Sequence, residues 1–219
     1  MAQCLLSTLV ALAGAPTALG WTSQDGPLWS AIHQMAIDNA VTPQMGAADR
    51  EVLKAMQSEI DQHQDPSQSA EHAMTGIVRA GLDEKKERGK YIAMSNLLVR
   101  SALQAANAAR ARNDKSKGLP DLAVALHALQ DSTSPGHDPF QTWSYSEGPI
   151  AKALHILKER TYPDDDTPEH YKSRLEGAVR YAYDIYVGKT SMPEHFFDAT
   201  SGGRLILPDR YLHTSQGQP

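Results

Sequence analysis

The stretch LPDLAVALHALQDSTSPGHDPF, Leu119 to Phe140, decides the fold. Leu122, Leu126 and Leu129 recur at helical spacing as a core stripe, while His127 and Asp131 stand at i and i+4 on a neighbouring face. One helix thus offers an imidazole and a carboxylate to a single point. Pro135 disfavours helical geometry in the residue before it, so the helix is predicted to end near Ser134. Gly136 then lets the chain turn and His137 fold back toward the same point.

Outward from this run the punctuation stays helical, with Gly and Pro between longer segments and few alternating strand patterns. The pattern predicts an all-α, single-domain bundle. Helices are expected over Leu28–Val41, Ala47–Gln62, Ser69–Leu82, Arg88–Asn113, Asp121–Ser132, Pro149–Arg160 and Pro168–Val187. Within Tyr91–Arg112 the expected core face carries Met94, Leu98, Ala102 and Ala105. Tyr181, Tyr183 and Tyr186 are read as packing residues with hydroxyls near water. Asp164, Asp165 and Asp166 read as a solvated loop before a helix start.

Composition narrows the chemistry. The 219 residues are 41% hydrophobic and 21% charged, enough for one sizeable core and against disorder. A formal charge of -5 leaves no basic surface to advertise nucleic acid or anionic membrane. The single cysteine, Cys4, excludes an intramolecular disulfide framework and CxxC sites, whereas nine histidines are an excess. A thiol-free metal site must be built from His, Asp and Glu, and a second i, i+4 pair, His155 and Glu159 in AKALHILKER, repeats the pattern of the first. Each pair alone is weak, but a His-x3-Asp-x5-His pattern arises by chance in roughly one chain in forty of this composition.

Residues 1–20 carry no charge, and the apolar run from Cys4 to Leu19 is short for a bilayer span. With Ala18 and Gly20 in an A-x-A-like arrangement, it reads as a signal peptide cut before Trp21, although it lacks a basic n-region. A secreted or periplasmic protein with no transmembrane anchor is the corresponding expectation. The other readings of this segment are a buried helix or a linker from a longer polypeptide.

The run HALQDSTSPGH, His127 to His137, resembles the central metal motif of the zinc-dependent phospholipases C, shared in looser form by the fungal single-strand nucleases. The HILKE pair downstream is similar to the same family's next motif. Upstream the resemblance takes in Trp21, His33 in PLWSAIHQMAIDNA, and Asp61 and His72 in SEIDQHQDPSQSAEHAM, so it covers Trp21 to Glu159 in order. It implies an all-helical catalytic domain over 21–198, followed by a polar tail over 199–219, and three zinc ions. By resemblance, the amine and carbonyl of Trp21 with His33 hold one zinc, and His137, His155 and Glu159 a second. His72 and His127 hold the third, with Asp61 on it or beside its bound water and Asp131 bridging toward the Trp21 site. Nitrogen and oxygen donors without thiolate suit Zn2+. His63 and Asp65 stay open as substitutes for Asp61; His170, His195 and His213 read as surface residues, and Trp29 and Trp143 as core or pocket wall.

The resemblance implies hydrolysis of a phosphodiester, most simply a glycerophospholipid at a membrane or micelle surface, to diacylglycerol and a phosphorylated head group. Clustered zinc neutralises charge on phosphoryl oxygens and acidifies water, with Asp61 as the group that orients or deprotonates the attacking water. The long Trp21-to-His33 spacing and Glu159 in place of Asp favour the phospholipase over the nuclease branch, whereas Gln24 stands where choline-preferring members can carry a carboxylate. A single-strand nuclease or toxin-domain phosphodiesterase with the same metals is the main alternative. A helical metal-binding protein without turnover is the alternative from another class.

Overall fold

The computed structural model describes residues 31–41, 44–61, 66–76, 81–142, 163 and 170–212. Its described part is mostly helical: α1 (Ile32–Val41), α2 (Ala47–Ile60), α3 (Glu84–Ala111), α4 (Lys115–Asp131) and α5 (Tyr171–Tyr186). Two short strands, β1 (Phe197–Asp198) and β2 (Arg204–Leu205), pair antiparallel with Phe197 opposite Leu205. Among the described residues no helix is long and apolar enough to cross a membrane. The expected helix over Pro149–Arg160 and the acidic run Asp164–Asp166 lie outside the described residues.

Helix α4 is the axis of the bundle, packed against α2, α3 and α5. Its leucines Leu119, Leu122, Leu126 and Leu129 are buried, each contributing about 1.5–3 kcal/mol by removal from water. From Ala125 to Asp131 every residue is buried, so His127, Gln130 and Asp131 are enclosed with the apolar ones. The helix begins at Lys115 rather than Asp121, accommodating Pro120 inside it. After Asp131 the hydroxyls of the Ser-Thr-Ser run close the helix end: Ser132 Oγ donates to Leu129 O (2.7 Å) and Thr133 Oγ1 to Gln130 O (2.7 Å). These bonds satisfy carbonyls that a buried helix end would otherwise orphan.

Other expectations are overturned by long-range contacts. No helix forms over the described part of Ser69–Leu82: residues 69–73 are turns, and Thr75 makes a parallel bridge to Thr142. Thr75 N donates to Gln141 O (3.0 Å) and Thr75 Oγ1 to Phe140 O (2.9 Å), so long-range partners displace the local helical ladder. The buried face of α3 is Ile92, Ser95, Asn96, Val99, Leu103 and Ala106, with Ala102 at its edge, whereas Met94 is 48% exposed. Asn96 explains the phase: Oδ1 accepts from Phe196 N (2.6 Å) and Phe197 N (3.0 Å), and Nδ2 donates to Phe197 O (3.1 Å). Helix α3 also starts before Arg88, because Asp83 caps it by accepting from Lys86 N (3.2 Å).

The described part of the polar tail expected over 199–219 does not stand free of the bundle. Residues 199–212 return to the bundle, burying Leu205 and Tyr211. Gly177 on α5 permits this approach, since a Cβ there would lie 2.2 Å from Tyr211 O. Gly203, at φ +106, is needed for the turn itself and would press a Cβ to 2.2 Å from the Phe140 ring. Tyr181, Tyr183 and Tyr186 are buried in the core, and the Tyr183 hydroxyl donates to Gln44 O (2.9 Å).

Candidate metal centre

Four segments bring polar side chains to the C-terminal half of α4. Helix α1 carries His33 next to its first residue, the end of α2 places Asp61, the turn after Gln68 places His72, and the turn after α4 places His137. All of them, with His127 and Asp131, are buried. Trp21, His155 and Glu159 lie outside the described residues, as do His63, Asp65, Trp29, Trp143 and His213. His170 and His195 are exposed, as expected.

Asp131 is the hub. Its Oδ2 lies 2.9 Å from His72 Nδ1, 3.2 Å from His127 Nε2 and 4.0 Å from His137 Nδ1, and its Oδ1 lies 3.2 Å from His33 Nε2. The imidazole of His33 stacks on that of His127 with centroids 4.5 Å apart, and His72 meets His127 edge-on at 4.8 Å. His127 Nε2 is also 3.1 Å from His72 Nδ1 and 3.8 Å from Asp61 Oδ1. Two groups of donor atoms therefore each fall within 4.8 Å: His33, His127 and Asp131, and Asp61, His72 and His127. The second group is the set that the phospholipase C resemblance implies for one zinc.

The loops that present these side chains are tied down. Ser95 Oγ on α3 donates to Ala70 O (2.8 Å), fixing the His72 turn, and His137 Nδ1 donates to the backbone carbonyl of His72. Beneath α1, Gln130 Nε2 donates to His33 O (3.2 Å). Asp138, beside His137, is held by Arg174 of α5 (2.8 Å).

Electrostatics explains why the cluster suits a cation. Burial, the largest influence on His127, pushes its pKa down, against the attraction of Asp131, so the ring is neutral near pH 7. Burial opposes ionisation of Asp131, but the imidazoles of His127, His33 and His72 outweigh it and hold the carboxyl well below the usual range. An ionised carboxylate thus faces the neutral ring of His127. His72 Nδ1 has one proton for two acceptors, and Asp131 Oδ1 and His33 Nε2 have no hydrogen-bond partner among the described residues. A bound cation satisfies all these lone pairs at once, and His/carboxylate donors without thiolate fit a borderline divalent metal. The buried His and Asp groups can hold a metal ion.

Sequence reasoning missed Gln57, wholly buried on α2, whose amide bridges two successive turns of α4: Nε2 donates to Ala123 O (3.0 Å) and Oε1 accepts from His127 Nδ1 (2.9 Å). The available signal was its place at i−4 from Asp61, on the face that also buries Leu53.

No family model matches the chain, and neither does any curated protein or solved structure.

Proposed function

We propose that the chain is a zinc-dependent phosphodiester hydrolase with the all-α fold of the zinc phospholipase C and nuclease type. The preferred substrate is a glycerophospholipid, cut to diacylglycerol and a phosphorylated head group. The observation that carries this reading is the convergence of His33, Asp61, His72, His127, Asp131 and His137 from separate segments on one buried point. In this reading Trp21, His155 and Glu159 complete a three-zinc set, with the Trp21 amine available once the Gly20–Trp21 bond is cut. Secretion or export through that cleavage belongs to the same proposal.

Bound zinc supplies charge neutralisation at phosphoryl oxygens and acidification of water. The chain's own groups supply placement. The imidazoles of His33, His72 and His127 surround Asp131 as the hub, which leaves Asp61, 3.8 Å from His127 Nε2, as the second carboxylate of the cluster. Asp61 orients the attacking water and takes its proton, while Asp131 keeps the three surrounding imidazoles aimed inward. No serine or cysteine nucleophile is required.

The test compares hydrolysis of phosphatidylcholine, phosphatidylethanolamine and single-stranded DNA by the chain beginning at Trp21, with and without a chelator. Chelator-sensitive release of phosphorylated head group is the expected result. Chelator-insensitive turnover rejects the mechanism, preferred DNA cleavage moves the chain to the nuclease branch, and metal content without turnover moves it to a metal-binding protein.

A further inference from the structure

We propose that Gln57 is a positioning residue that decides which nitrogen His127 presents to the metal, and so keeps the cluster open to a cation. The inference rests on the zinc-site reading above. Gln57 sits one turn before Asp61 on α2, and its side chain reaches α4 at two points. The Ala123 carbonyl can only accept, so the amide nitrogen must face it, at 3.0 Å. The amide oxygen is thereby turned to His127 Nδ1, at 2.9 Å. An amide oxygen also only accepts, so Nδ1 carries the ring proton and Nε2 is left as a lone pair.

That lone pair is the one placed among the other donors, 3.1 Å from His72 Nδ1, 3.2 Å from Asp131 Oδ2 and 3.8 Å from Asp61 Oδ1. The opposite tautomer would put a proton on Nε2, donate it to Asp131, and close the cluster on itself as an ordinary hydrogen-bonded network. Gln57 forbids that closure. A partner behind a ligating histidine fixes its tautomer and orientation, and removing one typically weakens metal binding by about 10–100-fold.

The experiment uses the full chain, wild type, Gln57→Leu and Gln57→Glu. Long-range proton–nitrogen correlation spectra of the metal-free protein report the His127 tautomer, with His127→Gln assigning the signal. Competition with a chromophoric chelator reports Zn2+ affinity. Wild type is expected in the Nδ1–H form. Gln57→Leu is expected to shift the ring toward Nε2–H and to bind zinc about 10–100-fold more weakly. Gln57→Glu retains an acceptor toward Nδ1, so it is expected to keep the wild-type tautomer and near wild-type affinity, although its bond to Ala123 O is lost.

An Nε2–H ring in wild type, or unchanged zinc affinity in Gln57→Leu, overturns the proposal. Should Gln57→Leu fail to fold, the wild-type tautomer and Gln57→Glu decide it, since a Glu variant with the opposite tautomer or lost affinity is equally fatal. Wild type that binds no zinc overturns the metal reading together with this one. Wild type that binds zinc with indifference to Gln57 overturns this one alone.

Discussion

Replacing Asp131 with Asn separates a metal centre from a structural ion-pair network. In the network interpretation the carboxylate is there to accept from the imidazoles of His72, His127 and His33, at 2.9, 3.2 and 3.2 Å. Each hydrogen bond to a charged group is worth about 1.5–3 kcal/mol, so Asp131→Asn would cost the metal-free protein about 3 kcal/mol or more. In the metal interpretation the cluster has surplus lone pairs. An amide of the same shape keeps one oxygen for His72 Nδ1 and offers an N–H to a bare imidazole nitrogen; that new bond offsets most of what the ionised carboxylate contributed, so metal-free stability changes by less than about 1 kcal/mol. The penalty then appears only with metal. Zinc at 100 times its Kd stabilises wild type by about 2.7 kcal/mol. For a chain of this size about 2–4 °C per kcal/mol applies, giving a rise in Tm of about 5–11 °C. Thermal unfolding followed by far-UV circular dichroism, with chelator and with buffered Zn2+, reads both quantities. Asp131→Asn should lose most of the zinc-dependent rise while its chelated Tm stays near wild type. A full zinc shift in Asp131→Asn, or a chelated variant several kcal/mol less stable than chelated wild type, refutes the reasoning.

Two further outcomes follow from the same geometry. His127 has a folded pKa below its ordinary value of about 6.5, so the unfolded chain binds that proton first as pH falls. The depressed Asp131 carboxyl acts in the same direction: its contribution is complete above about 3.9 and is lost as pH falls through its folded pKa. Urea unfolding of the metal-free chain should therefore show stability falling from pH 7 toward pH 5, by up to about 1.4 kcal/mol per pH unit from His127. A flat or rising profile there contradicts a neutral buried ring. Separately, Gly177→Ala drives a methyl group to 2.2 Å from the Tyr211 carbonyl oxygen, a backbone atom with little room to yield. The expected cost is about 1–3 kcal/mol in urea unfolding, with zinc affinity unchanged; a neutral Gly177→Ala would mean residues 209–212 do not bind α5 as described.

What could be read from the chain alone depended on how local the deciding interactions are. The His127–Asp131 pair, the close of α4 a few residues ahead of Pro135 and the return of His137 follow from i, i+4 spacing and a Ser-Thr-Ser-Pro-Gly run. The sequence therefore carries them without help. His33 and His72 have no such local signature, and only the family resemblance singled them out. The turn over 69–76 reads as helix by composition, because the bonds that hold it straight run to Phe140 and Gln141, distant in sequence. The buried face of α3 differs from the expected one because two of its core positions are Ser95 and Asn96, polar residues whose partners are the backbone of Ala70 and of Phe196–Phe197. A tail with few apolar residues gave no sign that Leu205 and Tyr211 would be enclosed.

The bond from His137 to the His72 carbonyl, together with the two bonds from Thr75 to Phe140 and Gln141, has a mechanical consequence. The stretches bearing His72 and His137 are laced into a single stiff plank, so neither imidazole can be reset without dragging the other. In the proposed metal reading, a cation drawn to one of the two rings therefore also pulls on the main chain that carries the other.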